Sequence, residues 1–323
     1  MTPWLATPER VRRVVVVGAG TMGSGIAQVF AQSGREVCLV DVDEDVLLRA
    51  AERIRANLDL FVELGLIEVG EAAAVRDRIH GSTNLIAAAD GADFAVEAVA
   101  EDLDVKHDVF HAFAAHCAPH AVLGTNTSGL PITAIAASTP CPERVIGTHF
   151  VNPAHVMPLV EVTKGDFTAD QTVAAARALL TAVGKKPVVV WKDVPGFVGN
   201  RIQTAMMREC FNIVEQGIAT PEDVDILVKN SFGFRLPVIG PFESFDMVGL
   251  DVVLAVAEYL LPDLSASSEP PRLLKERVAR GETGLKAGRG MYEWPQEKVR
   301  EMLEKRDRDL VRRLRDQMRE PGQ

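Results

Sequence analysis

The stretch that constrains this chain most is residues 14–23, which read V-V-V-V-G-A-G-T-M-G. Four β-branched residues in a row suit a strand buried on both faces, as in a parallel sheet. Gly18-x-Gly20-x-x-Gly23 follows at once, and a helical pattern opens at Gly25-Ile26-Ala27-Gln28. The glycines have separate tasks. Gly18 permits a tight turn, Gly20 lets backbone approach a pyrophosphate, and Gly23 lets the helix pack close to the strand. The helix N-terminus then presents unpaired N–H groups and a positive dipole end to phosphates. The cofactor-binding residues read here are Gly18, Gly20, Thr21, Met22 and Gly23. A second strand, Glu36–Val40, ends on Asp41, 23 residues after Gly18. That is near the offset of about 20 residues expected for a carboxylate on a ribose 2′-hydroxyl. Asp43, Glu44 and Asp45 come next, so a 2′-phosphate would meet negative charge. The expected cofactor is NAD rather than NADP.

The alternation continues with helices over 44–66, 70–78 and 105–117 and strands over 94–99 and 121–124. This predicts a Rossmann-type, doubly wound parallel sheet in a first domain over residues 1–192. After the apolar run 188–191 the alternation stops, and Pro195-Gly196 marks a junction. Helices over 197–216, 221–229, 250–261 and 272–280 predict a second, all-helical domain over 193–323. Its tail, 297–319, carries Val299, Met302, Leu303, Leu310, Leu314 and Met318 at helical spacing among mixed charges. That pattern reads as a solvated helix with one packing stripe.

Composition excludes several partners. A net charge of −10 over 323 residues argues against nucleic acid, whose phosphates need a basic surface. No apolar run is long enough to span a membrane. Cys38, Cys117, Cys141 and Cys210 are scattered with no C-x-x-C pair, which fits reduced thiols and a cytoplasmic location. His107 and His111 have the spacing of a helical zinc pair but lack the glutamate base and a third ligand. A solvated helix face is the expected reading, and no metal is predicted.

Further motifs follow in order: Asn126-Thr127-Ser128, His149-Phe150-Val151-Asn152-Pro153, Pro158-Leu159-Val160-Glu161, Pro195-Gly196-Phe197-Val198-Gly199-Asn200-Arg201, and Gly288-Arg289-Gly290-Met291-Tyr292. Together with the glycine loop, this set resembles the L-3-hydroxyacyl-CoA dehydrogenase family over about residues 12–294. The resemblance implies an NAD-dependent oxidation of a short-chain L-3-hydroxyacyl-CoA in fatty acid metabolism, by a homodimer joined through the helical domain. It makes His149 the general base and Glu161 its orienting carboxylate. Ser128 and Asn200 would hold the substrate oxygen, with Asn152 ranked below them. It also places Glu101 and Lys106 near the nicotinamide ribose, and Asn126 among the cofactor contacts. The chemistry suits these residue types. A histidine can take the hydroxyl proton near neutral pH, and a carboxylate fixes its tautomer and stabilises the imidazolium.

Three features pull toward the alternative to that thioester, a free hydroxy acid, as in gulonate-, carnitine- or pyridine-carboxylate-type relatives. Residues 56–75 hold no Lys or Arg but do hold Asp59, Glu63, Glu68 and Glu71. That is a poor surface for the phosphates of coenzyme A, which the helical insert helps receive in acyl-CoA members. Gly233-Phe234-Arg235 with Ile239-Gly240-Pro241 departs from the P-M-G-P of those members, and Arg235 could grip a carboxylate bidentately. The tail beyond Trp294 is also longer than the compact acyl-CoA enzymes need. A non-enzymatic role, as in a related lens crystallin, is disfavoured by the intact Ser128, His149, Glu161 and Asn200.

Overall fold

The computed structural model describes residues 7–319. They form two compact units, one of the residues up to 198 together with those from 304 onward, the other of residues 199–303.

The first unit contains β1 (Arg13–Val17), α1 (Thr21–Gln32), β2 (Glu36–Val40), α2 (Glu44–Glu63), α3 (Val69–Asp77), β3 (Ile79–Ser82), α4 (Leu85–Ala89), β4 (Phe94–Glu97), α5 (Leu103–His116), β5 (Val122–Thr125), α6 (Ile132–Ala137), β6 (Val145–Phe150), β7 (Leu159–Thr163), α7 (Asp170–Ala182) and β8 (Lys186–Val190). The strands make one sheet in the order β3-β2-β1-β4-β5-β6-β7-β8. The β1 valines show why both faces must be covered. Val14 and Val16 enter one core with Phe30, Leu58 and Leu179. Val15 and Val17 enter the opposite core with Phe110, Phe113 and Leu123. Alternate side chains point to opposite faces, so an unbroken apolar run needs helices on both.

The sheet is mostly, not wholly, parallel. β6 and β7 pair antiparallel, and β7 then pairs parallel with β8. The eight residues between β6 and β7 (151–158) are too few for a helical crossover, which takes a dozen or more. The strand β3, I-H-G-S, carries little apolar character, and the sequence reading has no strand there.

Two helix starts follow from their capping side chains. Asp43 accepts the Asp45 N–H at the start of α2, and Asp102 accepts two N–H groups at the start of α5. The histidine pair on α5 has a packing role: His107 and His111 donate from Nε2 to the carbonyls of Ala134 and Ser138, at 3.0 and 2.7 Å. Among the described residues, no group of three or more side chains could hold a metal ion. No helix among them is long and apolar enough to cross a membrane.

The second unit holds α8 (Gly199–Glu215), α9 (Pro221–Asn230), α10 (Phe232–Arg235), α11 (Pro241–Val248), α12 (Leu250–Leu260) and α13 (Arg272–Ala279). None of these six helices carries a buried residue. α12 reads L-D-V-V-L-A-V-A-E-Y-L, yet Leu250, Val252, Leu254, Val256 and Tyr259 are all exposed.

A last helix, α14 (Gln296–Arg319), carries the chain back to the first unit. Val311 is fully buried there against Phe61 and Val156, with Leu310 and Leu314 beside it. Arg308 grips the Glu63 carboxylate with two bonds, at 2.6 and 3.0 Å, and Arg315 reaches the Leu64 carbonyl. This grouping differs from a helical domain running to the end of the chain. The apolar stripe is also shifted: Met318, part of it by spacing, is 67% exposed, and Val311 takes the central place.

Candidate active site

The glycine loop shows what each glycine allows. A Cβ on Gly23 would lie 1.7 Å from the Gly18 carbonyl oxygen, so α1 meets the β1 turn in direct backbone contact. Gly18 has φ +96°, and a Cβ there would lie 2.5 Å from the Ala98 oxygen. A Cβ on Gly20 would meet nothing within 4 Å. That opening, over a helix start with no side-chain cap, is what a pyrophosphate requires. Thr21 is exposed there and Met22 packs half-buried against the core. Asp41 accepts the Ala19 N–H at 2.8 Å through Oδ2, which fixes the carboxylate at the mouth of the loop. The loop and its carboxylate therefore fit an adenine dinucleotide.

A second cluster lies where β4 and β5 end. Glu97 and Lys106 are both fully buried and form an ion pair, with Nζ 2.9 Å from each carboxylate oxygen. Thr125 donates to the same carboxylate in a short hydrogen bond, and Lys106 also stands 3.4 Å from Glu101. Glu101 accepts the Ser128 N–H at 2.8 Å and the Thr127 hydroxyl at 2.9 Å. Partial burial pulls the Glu101 carboxyl upward, but the Ser128 N–H and the Lys106 cation prevail and hold it below the usual carboxylate range. Lys106, placed by resemblance at the cofactor ribose, is thus only 1% exposed and holds Glu97 and Glu101. Glu97, the buried acid at the centre of the cluster, is a residue that the sequence reading did not single out.

The third element is the β6–β7 pair. His149 and Glu161 are direct partners across the antiparallel ladder, so their side chains stand side by side on one face. His149 Nδ1 lies 2.7 Å from Glu161 Oε2. An ionised carboxylate only accepts, so in the neutral imidazole the proton sits on Nδ1 and Nε2 is the acceptor. Glu161 is 3% exposed, and its other oxygen accepts the Val198 N–H at 3.1 Å. Asn126 Oδ1 accepts the Phe150 N–H at 2.9 Å, which ties the end of β5 to the end of β6. His155 lies in the loop after β6. Burial and the Lys185 cation push it down to about 4.

Asn152 lies exposed in that same loop. Asn200 is the second residue of α8, and Arg235 is exposed at the end of the four-residue α10. Both belong to the second unit.

A family profile described as "3-hydroxyacyl-CoA dehydrogenase, NAD binding domain" matches residues 13–194. Its partner, "3-hydroxyacyl-CoA dehydrogenase, C-terminal domain", matches residues 196–294. The chain belongs to the 3-hydroxyacyl-CoA dehydrogenase family. It is an NAD-dependent dehydrogenase acting on a CH–OH group. A 5-formyl-3-hydroxy-2-methylpyridine 4-carboxylate 5-dehydrogenase of Mesorhizobium japonicum is 36% identical over 302 residues, 93% of this chain and 96% of that protein. A crystal structure of a dehydrogenase of that pyridine acid, described as an NAD+-dependent dismutase, superposes with a TM-score of 0.88 at 35% identity. It covers 95% of this chain and 99% of its own. The (S)-3-hydroxybutyryl-CoA dehydrogenase of Ralstonia eutropha is 37% identical with a TM-score of 0.74, covering 88% of this chain and 100% of its own.

Proposed function

We propose that His149 is the general base and that the substrate is a small hydroxy compound bearing a free carboxylate. The observation that supports the base is the 2.7 Å contact between His149 Nδ1 and Glu161. With Nδ1–H given to the carboxylate, Nε2 takes the substrate hydroxyl proton, and Glu161 stabilises the resulting imidazolium. NAD supplies the hydride acceptor. Ser128 and Asn200 hold the substrate oxygen, and Asn152 lies near them in role. Asp41 receives the adenosine ribose, Glu101 and Asn126 border the nicotinamide end, and Lys106 acts from beneath through Glu101.

The substrate reading is supported by the likeness to the pyridine-carboxylate relative, which covers more of this chain and superposes more closely than the Ralstonia enzyme. The end of α2 is also taken by Arg308 and Arg315 of α14, on the insert that would receive a coenzyme A carrier. Arg235 is the proposed carboxylate partner. A CoA thioester is the second reading, favoured by the 37% identity to the Ralstonia enzyme over its whole length.

A side-by-side assay separates them. The purified chain is expected to reduce NAD with hydroxymethyl-pyridine carboxylates or small aliphatic hydroxy acids, and Arg235→Ala to raise KM for the acid about tenfold or more. NADP should serve far less well, and Asp41→Ala should narrow that preference. Strong turnover of 3-hydroxybutyryl-CoA untouched by Arg235→Ala would establish the thioester reading. No alcohol-dependent NADH formation with either substrate class would remove both readings.

The exposed apolar faces of α11 and α12 support a homodimer, because a helix that is apolar almost all round belongs in an interior. Sedimentation at micromolar concentration should give twice the chain mass of 35.0 kDa. A monomer at that concentration would refute the dimer.

A further inference from the structure

The backbone just before the second unit is left-handed at two consecutive residues, Gly196 at φ +75° and Phe197 at φ +50°. Glycine adopts such angles freely; a bulky side chain rarely does. Phe197 is the only non-glycine residue with positive φ among the described residues. It does not sit on a loop tip. It is 1% exposed, and its ring centroid lies 5.8 Å from that of His149, with the planes inclined at 57°.

The neighbouring contacts fix this segment at both ends. Asp193 Oδ2 accepts the Thr133 N–H at 2.7 Å, and Phe197 N–H closes a turn on the Val194 carbonyl at 3.1 Å. The next amide, Val198 N–H, then donates to Glu161 Oε1 at 3.1 Å, while Glu161 Oε2 holds His149. Filling a core requires no such backbone. Glycine would hold the turn without strain, and an aromatic in ordinary geometry would fill the space. Strain kept at a site calls for a reason in the site.

We infer that Phe197 is a positioning residue for the His149–Glu161 pair. Its left-handed backbone aims the Val198 N–H at the second oxygen of Glu161, and its ring packs tilted against the imidazole. The terminal torsion of a glutamate is otherwise soft; gripped at both oxygens, the carboxylate cannot turn away from Nδ1. The ring limits how far the imidazole can tip, so Nε2 stays aimed in one direction. Displacing a reacting group by about 1 Å costs about 10²-fold in rate. This inference rests on His149 being the base.

The test uses full-length Phe197→Gly and Phe197→Leu beside His149→Gln. It measures kcat, KM, thermal midpoint and the proton resonance of His149 Nδ1–H in protein labelled with 15N-histidine. Glycine keeps the backbone angle but removes the ring. It is expected to lower kcat about 10- to 100-fold, leave KM for NAD within about twofold, and broaden or shift the Nδ1–H resonance upfield. Leucine should recover part of the rate. A Phe197→Gly protein that melts earlier but keeps the parent kcat and resonance would reduce Phe197 to a core residue. If glycine prevents folding, Phe197→Leu decides by the same two readouts, with unchanged values overturning the inference. Should Phe197→Gly leave the rate intact while His149→Gln abolishes it, only this inference fails. Should His149→Gln also leave the rate intact, the base assignment itself falls.

Discussion

Replacing His149 with glutamine is expected to lower kcat about 10²–10⁴-fold, the usual contribution of a positioned general base. NAD affinity should change little, because His149 stands on β6, well along the sheet from the glycine loop after β1. Glutamine keeps a polar group against Glu161, so the loss reads out proton transfer rather than a collapsed site. Glu161→Gln should cost less, since it loosens the imidazole without removing it. Stopped-flow or steady-state rates would check both results, and a His149→Gln enzyme with near-parent turnover would refute the assignment.

The largest effect on stability is expected at Lys106. Its ammonium is enclosed with Glu97, which also accepts from Thr125 and from the Val99 N–H. Lys106→Met would leave a carboxylate in the interior without its cation. Breaking a buried pair from one side costs about 3–5 kcal/mol, far more than an exposed pair is worth. The double variant Glu97→Gln/Lys106→Met should be less destabilised than the sum of the single ones, since the two groups share one interaction. Thermal or denaturant unfolding of the four proteins would give this coupling. A Lys106→Met melt within a degree of the parent would show that the buried pair adds nothing. The same variant should loosen Glu101 and with it the Ser128 N–H, so a raised KM is expected alongside the lower melting point.

Much of the geometry of the glycine loop was legible in the sequence, because its determinants are local. A run of four valines encodes a strand buried on both faces. Three glycines at fixed spacing encode a turn that only backbone can fill, and the 1.7 Å approach at Gly23 is the steric form of that rule. Asp41 falls at the end of the next strand by chain length alone. His149 and Glu161 were paired from resemblance, and their geometry was not local. His149 faces Glu161 because β6 and β7 run antiparallel in register. The eight-residue connection held that signal, being too short for a crossover, while the alternation of earlier elements favoured an all-parallel sheet.

Other features depended on packing between segments far apart in the chain. A lysine at the start of a helix reads as a surface cation. Lys106 is buried because Glu97, at the end of another element, offers an ion pair that offsets its desolvation. The tail reads as a solvated helix with one packing stripe, but what that stripe meets is Phe61 and Val156, more than a hundred residues away in sequence, against Val311. Phe197 carries no mark of a left-handed conformation in its residue type. Only the folded chain brings Glu161 to the Val198 N–H and Thr133 to Asp193, at the two ends of this short segment.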